Sequence, residues 1–195
     1  GAETWQRVDG VPTGLEDKGI RTVIFDPKSS QKDKTLTIYA GVYGKGVYQT
    51  NNGGQTWSLL SNSPKKSHRM AVHPNGTLYV TSQTGLYQYR NHRWSDISPK
   101  KNTEYSGISV NSNNPNMLVC AEHFSGFYNP IYLSDNAGKT WRNVLKNDVR
   151  HFQVPWWPEY HFSAATSQVI FDPHHKNKVW FTDWYGTWST PDITA

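Results

Sequence analysis

The chain has 195 residues and a formal net charge of +5, and it is rich in aromatics, with 9 Trp, 11 Tyr and 7 Phe. Its mean hydropathy is -0.73, and no apolar run of about 18 residues exists, which excludes a membrane-spanning helix. So many rings also argue against intrinsic disorder, and the scattered Lys pairs, such as Lys65-Lys66 and Lys100-Lys101, argue against a nucleic-acid partner. A single cysteine, Cys120, leaves no internal disulfide and no zinc-ligand spacing. It lies in an apolar run and reads as buried and inert.

In chain order the elements form a repeat. Gly1-Ala2-Glu3-Thr4-Trp5 reads as the end of a turn that leads into a strand. A first unit follows, with strand-like runs at 23–27, 38–40 and 47–49 and the turn Gly53-Gly54-Gln55-Thr56-Trp57. The charged segment between the first two runs, 28–34, reads as a solvated loop. A second unit has runs at 70–74, 78–80 and 86–88 and a weaker turn, Asn91-His92-Arg93-Trp94. The third has runs at 108–111, 118–120 and 131–133 and the turn Ala137-Gly138-Lys139-Thr140-Trp141. The fourth has runs at 169–173, 179–181 and 187–189 and breaks into Thr190-Pro191-Asp192.

Each unit is therefore four short strands, A to D, between Gly, Asn, Pro and Asp turns. Trp5, Trp57, Trp94 and Trp141 lie 52, 37 and 47 residues apart. That spacing, without helical periodicity, predicts an all-β fold: a β-propeller of four-stranded antiparallel blades with Asp-box turns. About four blades are expected, as one partial domain over 1–195, in units 6–57, 58–94, 95–141 and 142–195. The expectation is part of a larger propeller. The rival is that the N-terminal strand D completes the last blade, closing a small ring or pairing two chains.

The turns Ser134-Asp135-Asn136-Ala137-Gly138-Lys139-Thr140-Trp141 and Thr50-Asn51-Asn52-Gly53-Gly54-Gln55-Thr56-Trp57 resemble the Asp-box. An Asn or Asp there bonds backbone amides across a tight turn and Gly supplies the positive φ, so the motif is structural. It lies on the C–D side of the blade, with the A–B turns. His174-His175 also falls on that side and reads as a turn, with no metal expected.

The opposite face carries the D–A and B–C connections. Two aromatic insertions project there, 122–130 and 146–165, holding Phe124, Tyr128, Trp156, Trp157 and Tyr160. Just past strand B the four units read Val42, Ser82, Glu122 and Asp183, and Asp183 is followed by Trp184 and Tyr185. Flat rings stack on apolar sugar faces and polar groups fix hydroxyls. Glycoside hydrolysis needs a carboxylate pair. Asp183 and Glu122 are the candidate catalytic residues. Trp156, Trp157, Tyr160, Phe124, Tyr128, Trp184 and Tyr185 are the candidate substrate-binding residues. The alternative is a solvated Asp and Glu beside blade-packing rings.

Several segments carry a resemblance to glycoside hydrolase family 74, the xyloglucanases and related endo-β-1,4-glucanases. They are Phe25-Asp26-Pro27, Thr37-Ile38-Tyr39-Ala40-Gly41-Val42, Asn75-Gly76-Thr77-Leu78-Tyr79-Val80-Thr81, Trp94-Ser95-Asp96-Ile97-Ser98-Pro99 and Tyr105-Ser106-Gly107-Ile108-Ser109-Val110. The resemblance implies the later part of a first propeller, facing a second propeller across a cleft. It implies a secreted, inverting hydrolase without cofactor, with one catalytic Asp from each propeller and water as nucleophile. Its partners would be a β-glucan or xyloglucan and the remaining blades or second propeller of a longer parent chain. Thr182-Asp183-Trp184-Tyr185-Gly186-Thr187-Trp188 is similar to the first-propeller motif, although by chain order it stands in the last unit. The competing reading is a non-catalytic Asp-box propeller that binds glycan or protein.

Overall fold

A computed structural model describes residues 4–15, 18–123, 129–145, 166–184 and 186–195. The first blade contains β1 (Ile20–Phe25), β4 (Ile38–Val42), β5 (Gly46–Thr50) and β6 (Ser58–Leu59). The second contains β7 (Ser67–Val72), β8 (Leu78–Ser82), β9 (Gly85–Arg90) and β10 (Arg93–Asp96). The third contains β11 (Tyr105–Val110), β12 (Leu118–Glu122), β13 (Ile131–Ser134) and β14 (Arg142–Asn143). The fourth contains β15 (Gln168–Phe171), β16 (Val179–Thr182) and β17 (Thr187–Thr190). All pairings inside these sheets are antiparallel and join strands A to B, B to C and C to D. This is the blade plan that the repeat predicts, and Thr190 to Asp192 form the expected start of a fourth C–D turn, with Thr190 Oγ1 donating to the Asp192 carbonyl at 3.2 Å.

The sheets stack through apolar clusters shared by consecutive blades. Tyr39 and Val47 of blade one meet Met70, Leu78 and Val80 of blade two. Ala71, Tyr79 and Leu86 of blade two meet Ile108, Leu118 and Cys120 of blade three. Val119, Ala121 and Leu133 of blade three meet Val169, Val179 and Phe181 of blade four. A strand between two blades is covered on both faces, so β12 is buried along its whole length, Glu122 included. Each fully buried Leu or Val contributes about 1.5–3 kcal/mol. The A strands β1, β7, β11 and β15 lie side by side on the inner edge of the stack.

The Asp-box turns are built as the sequence predicts. Asn52 Oδ1 accepts from the Thr56 amide at 3.0 Å and Asn136 Oδ1 from the Thr140 amide at 2.9 Å. The following residues need a left-handed backbone, with φ of 71° and 94° at Gly53 and Gly54 and 59° and 85° at Ala137 and Gly138. Trp94 and Trp141 cross to the preceding blade and donate to the Ser61 and Ile97 carbonyls at 3.1 and 2.7 Å.

Two expectations are corrected. The strand D expected after Trp5 is not formed: residues 4–8 make no ladder, and Trp5 is 90% exposed instead of packed as scaffold. A strand D exists by pairing with a strand C, and here none stands beside it. The segment 28–34 is not a plain loop. Pro27–Ser29 form a 3-10 turn, and β2 (Ser30–Gln31) pairs with β3 (Lys34–Thr35) around Lys32 at φ 47°.

Candidate functional site

The D–A and B–C connections share one face, as expected from alternating strand direction. At this face each of the first three A strands is irregular, with register shifts between Ile20/Thr22, Ser67/Met70 and Tyr105/Gly107. A bulge re-aims side chains. In blade two it is held by Thr81, whose Oγ1 accepts from the Arg69 amide at 2.9 Å, and it carries His68.

Glu122 ends β12 opposite Tyr105. Its side chain is only 4% exposed, with Oε1 3.7 Å from Lys100 Nζ and Oε2 accepting from the Tyr132 hydroxyl at 3.4 Å. A buried carboxylate needs such partners, because desolvation of the charge costs several kcal/mol. Burial, then the Glu122 charge, pushes the Tyr132 hydroxyl up to about 12. Burial, then the same carboxylate, pushes the Cys120 thiol well above its ordinary range, which fits the inert cysteine expected from sequence.

Beside Glu122 the fold assembles a group that sequence reasoning missed. Glu104 Oε1 lies 2.6 Å from His68 Nε2 and 3.8 Å from His123 Nε2. The two imidazoles stack at 5.5 Å between centroids, with 21° between planes. The His123 amide donates to the Glu104 carbonyl at 2.7 Å, so these two residues face each other across the ends of β11 and β12. The carboxylate contacts His68 without hydrogen-bond alignment to Nε2. Burial holds the His68 imidazole below its ordinary value, against the opposing pull of Glu104. The result is one carboxylate oxygen beside two stacked imidazoles, facing the Nε2 atom of each. Among the described residues no such group is arranged to hold a metal ion. His68 belongs to a strand A start, Glu104 precedes the next strand A, and His123 follows a strand B end, so no sequence spacing signals the cluster.

Asp183 stands at the same face, four residues past Val179 as Glu122 stands four past Leu118. Its Oδ1 accepts from the Gly186 amide at 2.9 Å, and its own amide donates to the Gly186 carbonyl at 3.1 Å. This is an Asx-type closure of the B–C turn. Ser82 closes the corresponding turn in blade two, where its Oγ accepts from the Thr84 amide at 3.1 Å. The Thr-Asp and Gly spacing therefore has a local use. Trp184 is exposed beside it. Phe124, Tyr128, Trp156, Trp157, Tyr160 and Tyr185 lie outside the described residues. On the opposite face, His174-His175 is a turn around Asp172, whose Oδ1 accepts from the His174 amide at 2.9 Å and contacts His175 Nδ1 at 3.0 Å.

The blades and this face define a run of Asp-box β-propeller blades. No protein-family model matches the chain. It is 30% identical over 207 residues to an oligoxyloglucan-reducing end-specific xyloglucanase of Emericella nidulans, covering 80% of this chain and 25% of that protein. It is 27% identical over 200 residues to a xyloglucanase of Acetivibrio thermocellus, covering 78% of this chain and 24% of that protein. The crystal structure of a family 74 enzyme of Niastella koreensis superimposes with a TM-score of 0.81 at 25% identity, covering 98% of this chain and 32% of that one. Over most of its length the chain is thus similar to the xyloglucanases of glycoside hydrolase family 74. It spans about a quarter of the length of these curated relatives. Among the described residues no helix is long and apolar enough to cross a membrane.

Proposed function

We propose that the chain is a propeller part of a secreted xyloglucanase-like glycoside hydrolase, and that its D–A/B–C face forms a wall for a β-glucan chain. The observation that carries this reading is the similarity to xyloglucanases over 80% of the chain. In this reading the rings at 124, 128, 156, 157, 160, 184 and 185 stack on glucosyl faces. Glu104, His68 and His123 fix hydroxyls through hydrogen bonds. Hydrolysis by inversion needs two carboxyls about 6.5–9.5 Å apart around a water, and the second is assigned to another propeller of the parent protein.

The test is affinity electrophoresis in xyloglucan gels with a parallel reducing-sugar assay. The chain is expected to be retarded by xyloglucan. The double variant Trp156→Ala/Trp157→Ala is expected to bind about tenfold more weakly, a loss of about 1.4 kcal/mol. Migration unaffected by xyloglucan would refute the proposal. Sugar release that disappears in Asp183→Asn would give Asp183 a chemical role, whereas unchanged release would leave it as the turn residue described above.

A further inference from the structure

Between blades one and two the D–A/B–C face gathers positive charge around Tyr43, the residue after β4, which is 1% exposed. The backbone here is pinned on both sides. The Tyr43 amide donates to the Gly19 carbonyl at 3.1 Å, and its carbonyl accepts from the Leu15 amide at 2.9 Å. In the connection into β7, the Lys65 carbonyl accepts from the Gly44 amide at 2.6 Å and the Lys66 carbonyl from the Gln83 amide at 3.2 Å. Three cations gather on the Tyr43 ring. Lys18 Nζ lies 4.6 Å from its centroid and donates to its hydroxyl at 3.3 Å. The Arg21 guanidinium and Lys66 Nζ each lie 6.0 Å away. Arg21 occupies the β1 bulge, between Ile20 and Thr22. At the next two bulges the corresponding side chains are engaged, His68 beside Glu104 and Ser106 donating to the Thr166 carbonyl. The lysines of the next connection also have acids, Lys100 with Glu122 at 3.7 Å and Lys101 with Asp96 at 2.8 Å. Among the described residues Arg21 and Lys66 reach no carboxylate, and both are exposed.

We propose that Arg21 and Lys66, supported by Lys18, form a subsite for a carboxylate-bearing sugar, a uronosyl residue, on this face. The inference rests on the glucan wall proposed above and adds an acidic substituent to the chain that lies along it. Like charges gathered around one ring repel each other, and a bound anion offsets that repulsion. The guanidinium fork fits a planar carboxylate through two parallel hydrogen bonds, and the ammonium adds a point charge. The pinned backbone leaves little to be ordered on binding. A wholly neutral glucan would leave these charges unanswered. A nucleic acid would need a longer track of cations. Along this face the track stops, because Lys100 and Lys101 are tied to acids and Glu104, Glu122 and Asp183 stand beyond them.

The experiment is affinity electrophoresis at low ionic strength in two gels, one of native xyloglucan and one of xyloglucan whose primary hydroxyls have been partly oxidised to carboxylates. The oxidised polymer is expected to bind about tenfold more tightly, an advantage that shrinks as salt is added. Arg21→Gln/Lys66→Gln keeps side-chain stems over Tyr43 while removing two charges. It is expected to lose that advantage and to bind native xyloglucan as before. Lys28→Gln/Lys34→Gln removes the same charge from the opposite face and is expected to keep the advantage, with both variants folded by circular dichroism. Inorganic phosphate is expected to compete no better than chloride at equal ionic strength; stronger competition would make this a phosphate site and overturn the proposal. Equal binding of the two polymers, or an advantage that survives in Arg21→Gln/Lys66→Gln or is lost in Lys28→Gln/Lys34→Gln, would also overturn it. Binding of the oxidised polymer alone, abolished in Arg21→Gln/Lys66→Gln, would uphold the subsite and refute the wall for neutral glucan. Binding of both polymers equally would do the reverse.

Discussion

Asn136→Ala tests whether the Asp-box is scaffold. The side chain makes three hydrogen bonds: Oδ1 accepts from Ser134 Oγ at 3.0 Å and the Thr140 amide at 2.9 Å, and Nδ2 donates to Thr140 Oγ1 at 2.6 Å. Thr140 is exposed, so water replaces its lost partners and each bond is taken near the low end of about 0.5–1.5 kcal/mol. The sum is about 1.5 kcal/mol. For a chain of this size that lowers Tm by roughly 3–6 °C, at about 2–4 °C per kcal/mol. The assay is differential scanning calorimetry alongside xyloglucan affinity electrophoresis. Asn136→Asp, which keeps the acceptor, should recover most of the loss. Unchanged Tm with weakened glucan binding in Asn136→Ala would refute the scaffold reading and make this turn a ligand site.

Tyr39 and Tyr132 are both raised from 10.0 to about 12, chiefly by burial. A phenol raised in the folded state loses its stabilising effect as pH climbs from the unfolded value through the folded one. Urea midpoints should therefore be flat below pH 10 and fall steeply between pH 10 and about 12. Glu122→Gln should bring the Tyr132 titration down, read as tyrosinate absorbance, and a curve identical to wild type would contradict the 3.4 Å contact. His68 is lowered below 6.5, first by burial. Its unfolded form thus takes up a proton first, and stability should fall as pH drops from 6.5 towards the folded value, with His68→Gln flattening that slope. A Cβ at Gly107 would meet the Val169 backbone nitrogen at 2.9 Å. Gly107→Ala should therefore force blades three and four apart, at a cost of about 1–3 kcal/mol measured by chemical denaturation.

The blade plan was legible because short strands recur in one order and turn chemistry is local. Even the turn Asn91-His92 of blade two, which lacks glycine, was legible as a turn, since its φ values of 50° and 60° are reached by Asn and His. The hairpin at Ser30–Thr35 was not legible, because two-residue strands of polar side chains carry no alternation. The Glu122 and Asp183 column was legible, since strand B offsets are constant. The Asx closure of Asp183 was not anticipated, although the same Gly186 that made the motif resemble a catalytic one supplies the amide. The His68, Glu104 and His123 cluster depends on a bulge and on contact between two blades. Neither leaves a spacing in the sequence.

Among the described residues the three apolar clusters that span blades each join consecutive ones, and the extensive packing contacts between strands respect that order. The molecule is in this sense one-dimensional, a row of units coupled to their neighbours. Folding can then spread along the chain as it leaves the ribosome, each sheet serving as the template for the next. Damage would travel the same way: loss of blade two or of blade three would sever two of these joints. A gene encoding such a row can lengthen or shorten by whole units without redesigning any interior.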